Sequence, residues 1–217
     1  RLRAWMPRSA SARLIERPPM KPATSASTIF RPASAPTVHD GLRLVTVSRH
    51  VQVKGLDVLL RAFADVAATA PGAILELVGD GPLTPSLQTL AGELGISRRV
   101  EFSGPARPDE IAERLRASDV FVLSSHSENM PLAALEALCC GLPVAATDVG
   151  GVPEAVGEDG ALARPGDPAA LAEAIRTVLA RLDGYDRADI ARRAAGRWSF
   201  EAVGAQWDEI YRSRARR

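Results

Sequence analysis

Two carboxylates and two cations carry the clearest chemistry in this sequence. Glu128 and Glu136 are separated by seven residues, and Arg49 and Lys54 by four. Arg49 and Lys54 belong to the segment Ser48-Arg49-His50-Val51-Gln52-Val53-Lys54-Gly55. An arginine offers a planar fork of donors and a lysine a compact charge, so the pair suits a diphosphate. As two solvated surface charges they would do nothing, and the loop alone does not decide between these. Glu136 stands between LAAL and ALCC. A charged residue in so apolar a helix either faces solvent or has a bound partner. A carboxylate there can accept paired hydrogen bonds from the vicinal hydroxyls of a ribose or hexose. Glu128 lies in the loop Ser124-Ser125-His126-Ser127-Glu128-Asn129-Met130, just before a helix expected to start at Pro131. A helix N-terminus presents free backbone N–H groups and a partial positive charge, which favours phosphate. Gly150-Gly151-Val152-Pro153-Glu154 lets backbone approach a ligand closely and can open an anion-binding turn, though two glycines before a proline also make an ordinary one.

Other patterns argue against rival chemistries. Gly79-Asp80-Gly81 follows a strand and precedes a helix, as a dinucleotide fingerprint does. Its third glycine is missing, Thr84 standing there, and Pro82 removes an N–H, so a nicotinamide or flavin site is not expected. His39, His50 and His126 are scattered without metal-ligand spacing, and no Asp-x-Asp pair occurs, so a divalent-metal diphosphate site is not supported. Cys139 and Cys140 are adjacent, point to different helix faces and are read as small buried side chains in a reducing, cytoplasmic setting.

The elements that must position these residues follow from periodicity. Strands are expected at 42–47, 73–78, 99–102, 119–123 and 143–146, with an edge strand at 160–163. Helices are expected at 56–69, 84–94, 108–117 and 131–140, a short one at 150–157, and three more at 168–182, 186–197 and 199–213. Repeated strand–helix alternation implies βαβ units with right-handed crossovers. The fold class is therefore α/β: a doubly wound, Rossmann-like parallel sheet of about six strands with a helical C-terminal tail. Ligands of such sheets bind beyond the carboxyl ends of the strands. The loops at 48–55, 79–83, 103–107, 124–131 and 147–153 should gather at that edge.

Residues 1–40 read differently. Pro7, Pro18, Pro19, Pro22, Pro32 and Pro36 interrupt any helix, and no apolar period is sustained. This Pro/Ser/Arg-rich stretch is expected to be a disordered arm or linker, and the opening Arg1 favours a fragment or a processed chain. It carries seven basic and two acidic residues, whereas residues 41–217 carry 20 basic and 24 acidic, so the body has no basic surface that would argue for nucleic acid. No run of 18 apolar residues is present to span a membrane.

From about Leu44 to Tyr211 the chain resembles the C-terminal domain of group 1 glycosyltransferases, retaining enzymes of the GT-B type. The stretches that carry the likeness are VSRHVQVKGLDVLLRAF, LELVGDGPL, VEFSGPA, ASDVFVLSSHSENMPLAALEALCCGLPVAATDVGGVPEAV and PGDPAALAEAI, in that order. Glu128 and Glu136 match the family's E-x7-E motif. The resemblance implies one half of a GT-B fold, with residues 41–217 as the nucleotide-sugar-binding domain. It implies transfer of a hexosyl group from a nucleotide-diphosphate sugar with retention of configuration. Arg49 and Lys54 would hold the diphosphate, Glu136 the ribose, and Glu128 the hydroxyls of the transferred sugar. Arg49, Lys54 and Glu128 would be the catalytic groups. The backbone of Asn129, Met130, Pro131 and Leu132 would lie near sugar and phosphates, although Pro131 offers no N–H, and Arg107 would stand near the base.

No metal and no cofactor beyond the donor substrate is implied. The partners implied are a nucleotide-sugar donor and an acceptor that is a sugar, a lipid or a small molecule. A separate acceptor-domain protein and peripheral membrane attachment are the further associations the resemblance admits. Two positions depart from the family pattern: Asn129 replaces a common glycine, and Ser48 another. Asn tolerates a left-handed backbone better than most residues, so the loop shape can survive. Residues 1–40 cannot supply the family's N-terminal acceptor domain. A non-catalytic nucleotide-sugar module, or a split-enzyme subunit needing an acceptor-domain partner, is therefore the alternative reading. A sugar-nucleotide epimerase or phosphorylase of the same build is a third. In complete members of the family the last helix crosses to the other domain, so part of the set Trp198, Phe200, Trp207 and Tyr211 should be exposed here.

Overall fold

The computed structural model describes residues 29–32 and 41–215. Six strands form one sheet: β1 (Arg43–Val47), β2 (Ile74–Val78), β3 (Val100–Gly104), β4 (Val120–Leu123), β5 (Val144–Thr147) and β6 (Gly160–Ala163). Their order is β3-β2-β1-β4-β5-β6, and every pairing is parallel. The helices are α1 (Leu56–Thr69), α2 (Thr84–Glu93), α3 (Pro108–Arg116), α4 (Leu132–Cys139), α5 (Val152–Val156), α6 (Pro168–Ala180), α7 (Arg187–Trp198) and α8 (Phe200–Ala215). The doubly wound α/β architecture expected from the sequence is what the chain adopts. The strand order reverses between β1 and β4, which opens a crevice at their carboxyl ends.

The strands are apolar because both sheet faces are covered. Side chains alternate across each strand, so neighbouring residues enter different cores. Leu44 packs with Leu59, Phe63, Leu75 and Ile175 on one face, and Val45 with Phe121, Leu138 and Val144 on the other. Helix starts are marked chemically. The Asp167 carboxylate accepts from the Ala170 amide at 3.0 Å, and the Asp186 carboxylate from the Ala188 amide at 2.8 Å. Glu76, buried in β2, is neutralised by Arg114 from α3 and accepts from Ser103 Oγ at 2.6 Å. Such a pair satisfies an otherwise costly buried charge.

One local expectation is corrected. The helix after Glu128 starts at Leu132, not Pro131, because Pro131 has φ −82° and ψ 76°, outside the helical region. The expectation of a disordered arm falls mostly on residues 1–28 and 33–40, which lie outside the described residues. Within 29–32, however, Phe30 is buried among the side chains of the second core, and Arg116 Nη1 donates to the Ile29 carbonyl at 3.1 Å. At that point the segment packs on the domain, because one aromatic side chain supplies apolar area the composition hides. Among the described residues no helix is long and apolar enough to cross a membrane.

Candidate functional site

The loop after β4 leaves the carboxyl end of the strand beside which the order of the sheet reverses. Its shape is imposed from both sides by glycines. A Cβ on Gly55 would come within 2.2 Å of the Ser124 carbonyl oxygen, one on Gly150 within 1.7 Å of the Glu128 carbonyl oxygen, and one on Gly151 within 2.5 Å of that of Asn129. Gly55 and Gly150 also have φ values of 57° and 53°, which side chains resist. The loop 124–129 is thus held between the segment following β1 and the turn following β5. The Gly151 amide donates to the Asn129 carbonyl at 3.0 Å, and the His126 amide to that of Val53 at 2.8 Å.

Within this clamp Lys54 and Glu128 meet. Lys54 Nζ lies 2.6 Å from Glu128 Oε1, and Ser125 Oγ donates to the same oxygen at 2.7 Å. The Glu128 side chain is 11% exposed and that of Lys54 24%, so the pair is sheltered and its Coulomb attraction is only partly screened. Below it the polar chain continues into the core. Ser124 Oγ donates to the Lys54 carbonyl at 2.8 Å, and Thr147 Oγ1 to the Ser125 carbonyl at 2.6 Å. Ser124, Ser125 and Thr147 are all buried.

The remaining residues singled out from the sequence fall as follows. Arg49 is exposed in the loop after β1. Glu136 is half-buried in α4, and burial raises its carboxyl to about 7. Asn129 and Met130 are exposed, Pro131 is buried, and Leu132 is 68% exposed. The Leu132 amide is already engaged by the Met130 carbonyl at 3.0 Å. Arg107 precedes α3, with its guanidinium 3.1 Å from Asp109 and 3.7 Å from Glu110. Among the described residues no three His, Cys, Asp or Glu side chains converge as metal ligands. Cys139 and Cys140 are free thiols, pushed up by burial to about 11 and about 12.

Sequence reasoning passed over Ser124, Ser125, Thr147 and Gly55 as individual contributors. A signal did exist: two hydroxyls end a strand reading VFVL, and a third ends one reading VAA. It also passed over His50. That ring is fully buried, its Nδ1 lies 2.7 Å from Thr84 Oγ1, and its Nε2 has no partner among the described residues. Burial lowers its pKa, with the charge of Asp80 opposing. The glycines of Gly79-Asp80-Gly81 press on this loop: a Cβ on Gly79 would lie 2.0 Å from the Ser48 carbonyl oxygen, and one on Gly81 2.5 Å from that of His50. They serve loop packing.

Comparison with known proteins agrees with this architecture. The family model of glycosyl transferases group 1 matches residues 41–181. A D-inositol 3-phosphate glycosyltransferase from Acidothermus cellulolyticus is 36% identical over 200 residues, covering 84% of this chain and 43% of that protein. The chain therefore spans less than half the length of that curated relative. Among solved structures, sucrose-phosphate synthase from Thermosynechococcus elongatus superposes with a TM-score of 0.74 at 28% identity, covering 86% of this chain and 50% of the other. Anabaena HepE, solved in complex with UDP, superposes with a TM-score of 0.70 at 26% identity, covering 80% and 49%. The Rossmann-like sheet, the match over 41–181 and these relatives together establish that the chain belongs to the group 1 glycosyl transferases.

Proposed function

We propose that this chain is the donor-binding part of a glycosyltransferase that moves a hexosyl group from a nucleotide-diphosphate sugar to an acceptor with retention of configuration. The observation that carries the reading is the sheltered Lys54–Glu128 contact at the switch point of the sheet. It puts a cation and a carboxylate side by side, which is what adjoining phosphate and sugar hydroxyls call for. The UDP held by the related HepE supports a nucleoside diphosphate as the anionic part of the ligand.

On this reading Arg49 and Lys54 meet the diphosphate. As the glycosidic bond breaks, negative charge grows on the β-phosphate oxygen, and cations fixed beforehand lower that barrier without reorganising. The positive charge at the diphosphate comes from these side chains, with no metal or cofactor assigned to the step. Glu136 accepts from the ribose hydroxyls, and Glu128 from hydroxyls of the transferred sugar. Arg107 and the backbone of Asn129, Met130, Pro131 and Leu132 complete the donor's surroundings. A cytoplasmic setting is part of the proposal and rests on the free, adjacent thiols.

Isothermal calorimetry with UDP- and GDP-sugars tests the donor site. The unmodified chain should bind one of them, and Glu136→Ala should weaken that binding about tenfold, the effect of losing hydrogen bonds to a charged group. No binding at millimolar ligand would reject the donor site. Binding without transfer, even with excess acceptor sugars present, is what a donor-binding module would give.

A further inference from the structure

Both hydrogen bonds recorded at the Glu128 carboxylate go to one oxygen. Lys54 Nζ and Ser125 Oγ lie 2.6 and 2.7 Å from Oε1, and no partner is recorded for Oε2 among the described residues. We infer that Ser125 is a positioning residue for the donor sugar: it anchors Oε1 so that Oε2 is presented to a sugar hydroxyl. The inference deepens the donor-site reading and rests on it.

The reason lies in what happens to the other anchor. Lys54 serves two anions, the Glu128 carboxylate in the structure and the diphosphate in the proposed complex. A diphosphate carries more charge than one carboxylate, so a bound donor draws the flexible lysine toward itself. At that moment Glu128 depends on its remaining donor. Ser125 suits that task for three reasons. It is fully buried, so water does not compete for its hydroxyl. Its carbonyl is fixed from below by Thr147 Oγ1 at 2.6 Å, and Thr147 is itself fully buried at the end of β5. The neighbouring Ser124 Oγ donates to the Lys54 carbonyl at 2.8 Å, so the lysine's backbone stays in place while its side chain turns. The Ser124–Ser125 pair thus separates two functions in one dipeptide, one hydroxyl holding the cation's backbone and the other the carboxylate.

This division of labour has a signature that a plain structural serine lacks. A loss of loop structure would weaken the nucleoside diphosphate and the sugar nucleotide alike. A loss of Glu128 aim would weaken only the ligand carrying the sugar. The experiment is calorimetry on the full chain and on Ser125→Ala, with UDP and UDP-glucose and with GDP and GDP-mannose as ligand pairs. For the pair the unmodified chain binds, Ser125→Ala should weaken the sugar nucleotide by about tenfold, the usual worth of a hydrogen bond to a charged group, and leave the diphosphate within about twofold.

The Ser125→Ala effect should vanish in a Glu128→Ala background, which removes the oxygen that accepts from the serine, since coupled neighbours do not add. Ser125→Cys keeps the volume with a weaker donor, and should fall between serine and alanine; it gives the reading if the alanine variant does not fold. Equal weakening of both ligands, or a full serine effect in the Glu128→Ala background, overturns the assignment while leaving the donor site standing. Absence of binding by the unmodified chain overturns the donor site and this assignment with it.

Discussion

Glu136 is a carboxylate held in its least comfortable state. Half-buried in α4, it is raised by burial from 4.5 to about 7. The sign of the consequence is fixed by linkage. Between pH 4.5 and 7 the folded chain keeps a proton that the unfolded chain has released, so stability falls as pH rises through that window. Above it the ionised carboxylate stays partly desolvated at full cost. Glu136→Gln removes that cost and should raise unfolding stability at pH 8 by about 1–2 kcal/mol after solvent screening is allowed for, with no gain at pH 4. Thermal melting at the two pH values checks this. Equal shifts at both would show that ionisation is not the cause. The same substitution should weaken nucleotide binding, the trade expected where a site is kept strained for function. At this scale the charged residues were legible, because a charge between LAAL and ALCC demands a reason. Ser125 was not, since a serine after a strand reads as an ordinary turn residue until its distance to Glu128 Oε1 is known.

At the scale of elements, the clamp around the loop 124–129 gives a paired comparison. Gly150 and Gly95 both have positive φ, 53° and 70°. A Cβ at Gly95 meets nothing within 4 Å, whereas one at Gly150 would stand 1.7 Å from the Glu128 carbonyl oxygen. Gly95→Ala should therefore cost only the left-handed penalty, about 1 kcal/mol, and spare ligand binding. Gly150→Ala adds displacement of backbone and should cost about 3 kcal/mol or more while abolishing sugar-nucleotide binding. Urea unfolding with calorimetry reads both, and equal costs would show that the clamp is slack. The elements themselves were largely written in the sequence. The helix over 56–69 has the bounds expected, since its apolar period is strong and Gly55 and Pro71 bracket it. The strand order was not readable, because pairing joins residues far apart, such as Leu44 with Val120, and nothing local specifies it. Nor was the shift of α4 to Leu132, since a proline at a helix start is compatible with either the first turn or the cap.

Across the whole molecule, buried apolar contact and regular helix do not coincide. Along the C-terminal α8 no residue over 201–214 is buried, and Trp207, Ile210 and Tyr211 are 54%, 43% and 67% exposed, in keeping with the expected exposure of part of the aromatic set. Phe30, in a stretch that composition assigns to an arm, is only 5% exposed against Phe121, Leu138 and their neighbours. Stability follows buried apolar contact and not helical content. Ending the chain at Ser199 should thus lower unfolding stability by less than about 1 kcal/mol, since α8 buries so little. Phe30→Ala should lower it by about 1–3 kcal/mol, less than a central phenylalanine because the segment can undock before the sheet opens. Urea unfolding of both variants decides the matter through their midpoints, with an unchanged slope for Phe30→Ala. A large loss on truncation with none for Phe30→Ala would mean that α8 closes the domain and that Phe30 is an ornament to it.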